Sequence, residues 1–162
     1  MEKYKLKQVD IRLKLSQAKP LYSTEQITTA QQAVEVMAEY LSERDREYCC
    51  VINMDASNHP INFHVVSIGD TNYTPVPMQN VFKSAILTNA VSILILHNHT
   101  GGLATPSTFD VDMTLKMIKA GRLMNIPVRC PLCQEYKPFC KEHDNDPYRY
   151  QGAQRVWHKD RI

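Results

Sequence analysis

The sequence predicts an α/β fold in which a layered, mixed β-sheet is flanked by helices. Three observations carry that expectation. Strand-like and helix-like patterns alternate from residue 28 to residue 128, the order expected of a layered α/β domain. Val91 to Leu96 is a short apolar run, rich in Ile and Leu and bounded by polar residues, as in a strand buried on both faces. A chain of 162 residues, 43 % hydrophobic and 22 % charged, suits one domain with a sizeable core and hardly two.

Taken in order, residues 4–15 alternate apolar and charged: Leu6, Val9, Ile11, Leu13 and Leu15 against Lys5, Lys7, Asp10, Arg12 and Lys14. That period predicts a half-exposed edge strand, whose lysines discourage pairing with other chains, ended by Lys19-Pro20. Thr28 or Thr29 can cap a helix running to about Ser42, with Ala33, Val34, Met37, Ala38 and Leu41 on one face to cover the sheet. Residues 47–55, a turn over Ala56 to Pro60 and residues 61–69 read as a hairpin. Adjacent Cys49 and Cys50 face opposite sides of its first strand, and His59 and His64 read as structural or exposed. A loop dense in turn formers spans Gly69 to Pro77. Met78 to Ala90 then reads as an amphipathic helix with Val81, Phe82, Ala85, Ile86 and Ala90 inward, leading into the buried strand.

The carboxyl end of that strand carries the chemistry. His97 and His99 are two apart, so on an extended backbone both imidazoles face one side. A loop with Gly101 and Gly102 follows, then Ser107 and Asp110, then Val111, Leu115, Met117 and Ile118 at helical spacing towards Gly121 and Leu123. Two His and one Asp would leave a fourth position open on a tetrahedral divalent ion, the arrangement of a catalytic site. Each piece also has a plainer reading. Ser107-x-x-Asp110 after Pro106 is a good helix capping box, and a strand-end His is commonly just hydrogen-bonded. The two readings can coexist, since Asp110 can bind a metal while Ser107 caps the helix. Glu47, by propensity alone, is a solvated charge at a strand end.

The pattern H-N-H-x7-S-x-x-D resembles the signature of the JAMM (MPN/JAB) metalloproteins, and the words around it are closest to the RadC-like branch. Those words are VFKSAI (81–86), ILHNH (95–99), TPS (105–107) and AGRLMNIPV (120–128). The resemblance implies a JAB/MPN fold of cytidine-deaminase-like architecture and a zinc held by His97, His99 and Asp110. It also implies a catalytic serine at Ser107 and a general-base glutamate on an early strand, for which Glu47 is the candidate. Glu39 and Glu43 fall on the preceding helix and fit worse. The activity so implied is a zinc-dependent, metallopeptidase-type hydrolysis of peptide or isopeptide bonds in a peptide or protein substrate. Two stretches depart from the branch: Val76-Pro77-Met78 stands where a His-Pro is usual, and Thr100 to Ala104 replaces a Pro-Ser-Gly-type run.

The resemblance covers residues 4–128 and stops there. The branch continues with an Asp-His and an apolar strand, which this chain lacks, so the expectation is a domain incomplete at its C-terminal end, followed by an irregular Cys/His tail over 129–162. In that tail Cys130, Cys133, Cys140 and His143 are spaced to close a second, structural zinc site; free thiols in a polar segment are the equal alternative. Its words resemble the zinc-knuckle leader of phage HNH endonucleases, without the nuclease core. A DNA-repair-associated accessory protein is the rival function, resting on the label of the branch and on Tyr148, Arg149, Tyr150, Arg155, Trp157, Lys159 and Arg161. An inactive truncated domain is a third. A net charge of +2 is too weak to imply nucleic-acid binding by itself. No apolar run approaches the ~20 residues of a membrane span, and the first residues show no signal-peptide core. With five cysteines, an odd number, these features predict a cytoplasmic protein with reduced thiols.

Overall fold

The structure is a computed structural model, and it describes residues 26–70, 75–99 and 107–129. The strand expected over residues 4–15, the loop at 100–106 and the tail from residue 130 onward lie outside the described residues, whereas Arg129, expected in the tail, belongs to the last strand of the sheet.

The elements are α1 (Ala30–Ser42), β1 (Tyr48–Met54), β2 (Pro60–Ile68), α2 (Met78–Leu87), β3 (Ser92–His97), α3 (Thr108–Leu123) and β4 (Val128–Arg129). The four strands form one sheet in the order β2-β1-β3-β4. β1 runs antiparallel to both β2 and β3, whereas β3 and β4 are parallel, joined by the α3 crossover. The sheet is therefore mixed, as the sequence predicts.

Strand alternation sorts the apolar residues into two cores. Cys50, Ile52, Met54, Leu94 and Leu96 pack with Ala33, Val34, Met37 and Leu41 of α1. Cys49, Val51, Ile93 and Ile95 pack with Val81, Phe82 and Ala85 of α2 and Met113, Met117 and Ile118 of α3. α1 thus covers one face and α2 with α3 the other, giving three layers. The two cysteines face opposite sides as expected, both fully buried, and burial pushes the Cys50 thiol up to about 12.

Local chemistry explains the helix boundaries. Thr29 caps α1 in a full capping box with Gln32. Ile27 N–H donates to Asn58 O in the β1–β2 turn and ties the start of α1 to the hairpin. Two expectations need correction. α2 ends at Leu87 rather than Ala90, because Asn89 takes φ 53° and Ala90 N–H closes back on Ala85 O, a Schellman turn built on Asn. Ile86 lies at the edge of the apolar stripe and is 56 % exposed, not inward. The same device ends α3, where Asn125 has φ 56° and Ile126 N–H donates to Gly121 O. Leu123, the last residue of α3, is 89 % exposed. Gly121 is required where α3 meets β4: a Cβ there would stand 2.5 Å from Ile126 O and 2.8 Å from a Val128 methyl.

Candidate metal centre

His97 is the last residue of β3, and its cross-strand partner is Cys49 of β1. It shares the parity of Ile93 and Ile95, so its ring lies on the face covered by α2 and α3. His99 follows two residues later. The Nε2 atoms of the two rings are 2.8 Å apart. Asp110 enters from the first turn of α3, with Oδ1 3.6 Å from His97 Nε2 and Oδ2 3.9 Å from His99 Nε2. The three side chains are 12 %, 24 % and 13 % exposed, in that order. One ligand atom from each lies within 4.8 Å of the others, so the group could hold a metal ion.

The donor set fits a small divalent cation. Around a tetrahedral zinc with bonds of about 2.0–2.1 Å, ligand atoms stand about 3.3 Å apart. The two ring nitrogens stand 2.8 Å apart and Asp110 Oδ1 stands 3.6 Å from that of His97, either side of that value, and one ligand atom from each residue lies within 4.8 Å of the others. Ligation by both rings through Nε2 needs both in the neutral form with the proton on Nδ1. Burial pushes the His97 imidazole down to about 4, against the pull of the Asp110 carboxylate, so it is neutral at physiological pH.

Capping and ligation share Asp110 between its two oxygens. Oδ2 accepts from Ser107 N at 2.8 Å and Ser107 Oγ at 2.7 Å, while Ser107 Oγ accepts from Asp110 N at 3.2 Å. Oδ1 is the oxygen closer to the buried imidazole of His97. Partial burial alone would raise the Asp110 carboxyl, but the Ser107 hydrogen bonds and the facing imidazoles outweigh it and hold it below its usual range. The helix N-terminus adds favourable field for a carboxylate.

Glu47 lies one residue before β1, with its N–H donating to Asp70 O and its carbonyl accepting from Gly69 N–H, so it continues the hairpin. It sits two residues before Cys49, which pairs with His97, and so occupies the strand parity of the ligand face, next to the end of β3. It is not among the three clustered groups. Glu39 lies on α1, which covers the opposite face of the sheet, and Glu43 is the C-cap of that helix. His59 pairs with Asp55 in the hairpin turn, and His64 sits on β2, neither of them in the cluster.

One residue escaped sequence reasoning. Asn98, between the two histidines, is 8 % exposed; its Oδ1 accepts from Tyr48 N at 2.8 Å and its Nδ2 donates to Arg46 O at 3.0 Å. The only signal was positional: alternation turns residue 98 away from the ligand side.

Comparison with known proteins agrees with this geometry. The family described as RadC-like JAB domain matches residues 27–129. A UPF0758 protein of Roseiflexus castenholzii is 38 % identical over 103 residues, covering 64 % of this chain and 44 % of that protein. One from Desulfitobacterium hafniense is 32 % identical over 102 residues, 63 % of this chain and 45 % of the relative. A third, from Chloroflexus aurantiacus, is 36 % identical over 88 residues, 54 % of this chain and 38 % of the relative. The chain thus spans less than half the length of these relatives. Cys130, Cys133, Cys140 and His143 lie outside both the described residues and the family match, as do the basic and aromatic residues of the tail. Among the described residues, no helix is long and apolar enough to cross a membrane.

Proposed function

This chain belongs to the RadC-like JAB domain family, and from that premise we propose that it is a metal-dependent hydrolase of the JAMM type, acting on peptide or isopeptide bonds. The observation that carries this reading is the convergence of His97, His99 and Asp110 on one point, on a strand end and a helix start that a core holds together. Zinc is the ion proposed, because two imidazoles and one carboxylate with an open position are its usual catalytic ligands. Such an ion, when bound, supplies a water whose pKa is brought near 7 and polarises the carbonyl under attack.

The residues of the chain do the rest. His97, buried and neutral, presents a nitrogen lone pair without first losing a proton, and His99 would supply the second ring nitrogen. Asp110 offers Oδ1 while Ser107 fixes its other oxygen. Glu47, on the ligand side of β1, would take the proton of the attacking water and return it to the leaving amine. Ser107 has one hydroxyl proton, and in this structure it goes to Asp110. To steady the developing oxyanion, Ser107 would turn that proton towards the substrate while keeping the cap through its lone pairs. Under this reading residues 4–128 form the catalytic unit. Residues 129–162 form an appended segment, where Cys130, Cys133, Cys140 and His143 would take a second zinc.

The test is cleavage of a proteome-derived peptide library and of isopeptide-linked conjugates by zinc-loaded protein, read as new amino termini by mass spectrometry. Glu47→Gln should keep the zinc and lose turnover. Cleavage by that variant at the wild-type rate removes Glu47 as the base, and cleavage that survives complete chelation of metal removes the mechanism.

A further inference from the structure

The ladder between β1 and β3 ends at the pair Cys49–His97. One step beyond it, the Asn98 side chain takes over the pairing. Its amide offers one acceptor and one donor, as a peptide group does, and uses them on Tyr48 N and Arg46 O. Those two atoms flank Glu47 on either side in sequence. On its other edge Glu47 is tied by its own N–H and carbonyl to Asp70 and Gly69 of the β2 side. The backbone of Glu47 is therefore pinned from both edges, and the pin on the β3 side is the residue between the two histidines. Asn98 is also nearly fully buried, so these hydrogen bonds face little competition from water.

We propose that Asn98 is a positioning residue, setting the distance of the Glu47 carboxylate from the ion by locking residues 46–48 to the His97–His99 pair. The proposal rests on the functional reading above. Asn98 is turned away from the ligand side, so ligation should survive its loss while residues 46–48 lose their tether to the β3 side. Only an amide of this length suits the position. Ala offers neither bond, Asp keeps the acceptor for Tyr48 N but loses the donor to Arg46 O, and Gln is one methylene too long.

The experiment uses the full chain loaded with Co(II), with glutamate side chains carbon-13 labelled, and reads the paramagnetic broadening of the Glu47 resonance, assigned through Glu47→Gln. In the unaltered protein the resonance should be strongly broadened relative to the zinc form, and this should vanish in His97→Ala/His99→Ala. Asn98→Ala should cut the broadening severalfold. It should weaken Co(II) binding by less than the roughly 10–100-fold typical of a lost partner of a metal ligand. Asn98→Asp should fall between the two, which keeps the test open if the alanine variant folds poorly. Thr29→Ala, which loses a cap on the far side of the sheet, should leave the broadening unchanged, so a general loss of stability does not mimic the effect. Wild-type broadening in both Asn98 variants overturns this inference alone. Failure of the unaltered protein to bind Co(II), or to broaden Glu47 when loaded, overturns the metal or base assignment beneath it and this inference with them.

Discussion

Burial of His97 gives the metal-free protein a specific weakness to acid. In the unfolded chain an imidazole titrates near its ordinary 6.5; in the folded protein burial pushes His97 down to about 4. The folded value is the lower one, so folding favours the neutral ring. The resulting contribution is fully present above about pH 6.5 and is lost as the pH falls towards 4, because the unfolded chain takes up a proton that the folded one does not. The side chain is 12 % exposed, so solvent screening removes little of the effect. The whole gap corresponds to about 3 kcal/mol, of which about 2 kcal/mol falls between about pH 7 and about pH 5. The assay is urea denaturation in excess chelator at those two pH values, for the unaltered protein and for His97→Gln. His64 is also shifted down, first by burial and then by Lys83, but it is present in both proteins and cancels in the comparison. Unaltered protein should lose about 2 kcal/mol more than His97→Gln on acidification. Equal losses would refute the claim that His97 sits neutral in a desolvated site.

Other consequences follow from single contacts. Ser107→Ala should cost about 1 kcal/mol through the lost cap and weaken zinc binding roughly 10–100-fold through the loosened Asp110, measured by denaturation and chelator competition. Thr29→Ala should lose a similar cap stability at α1 with zinc affinity unchanged, since α1 covers the opposite face of the sheet. Gly121→Ala should destabilise by about 1–3 kcal/mol in urea titration, because the new Cβ meets the Ile126 carbonyl and Val128 at the α3–β4 junction. Phe82→Ala, emptying the α2 side of the larger core, should cost about 3–5 kcal/mol by the same measurement.

What could be read from the sequence was what periodicity and short spacing encode. The apolar run at 91–96 identified β3, and the two-residue spacing of the histidines identified the face they share. Ser107-x-x-Asp110 carried both of its readings, and the structure realises the cap while leaving one Asp110 oxygen turned to the imidazoles. Hydrogen-bonded ends were harder to see. Asn89 ends α2 in a left-handed turn that Gly usually makes, so the apolar pattern runs on past it to Ala90, and Ile86 falls on the apolar stripe by spacing although it is exposed. Asn98 was out of reach for a different reason. Its partners lie about fifty residues away, and a side chain that completes a strand ladder leaves no periodic trace.

Everything said of function depends on one ion being held jointly by residues 97, 99 and 110. Elemental analysis of the purified protein and of His97→Ala/His99→Ala tests this most directly, because the difference between them is independent of any metal bound by the tail. The expected result is a loss of one equivalent of zinc per chain in the double variant, with its fold intact by circular dichroism. Equal metal content in the two folded proteins would contradict it.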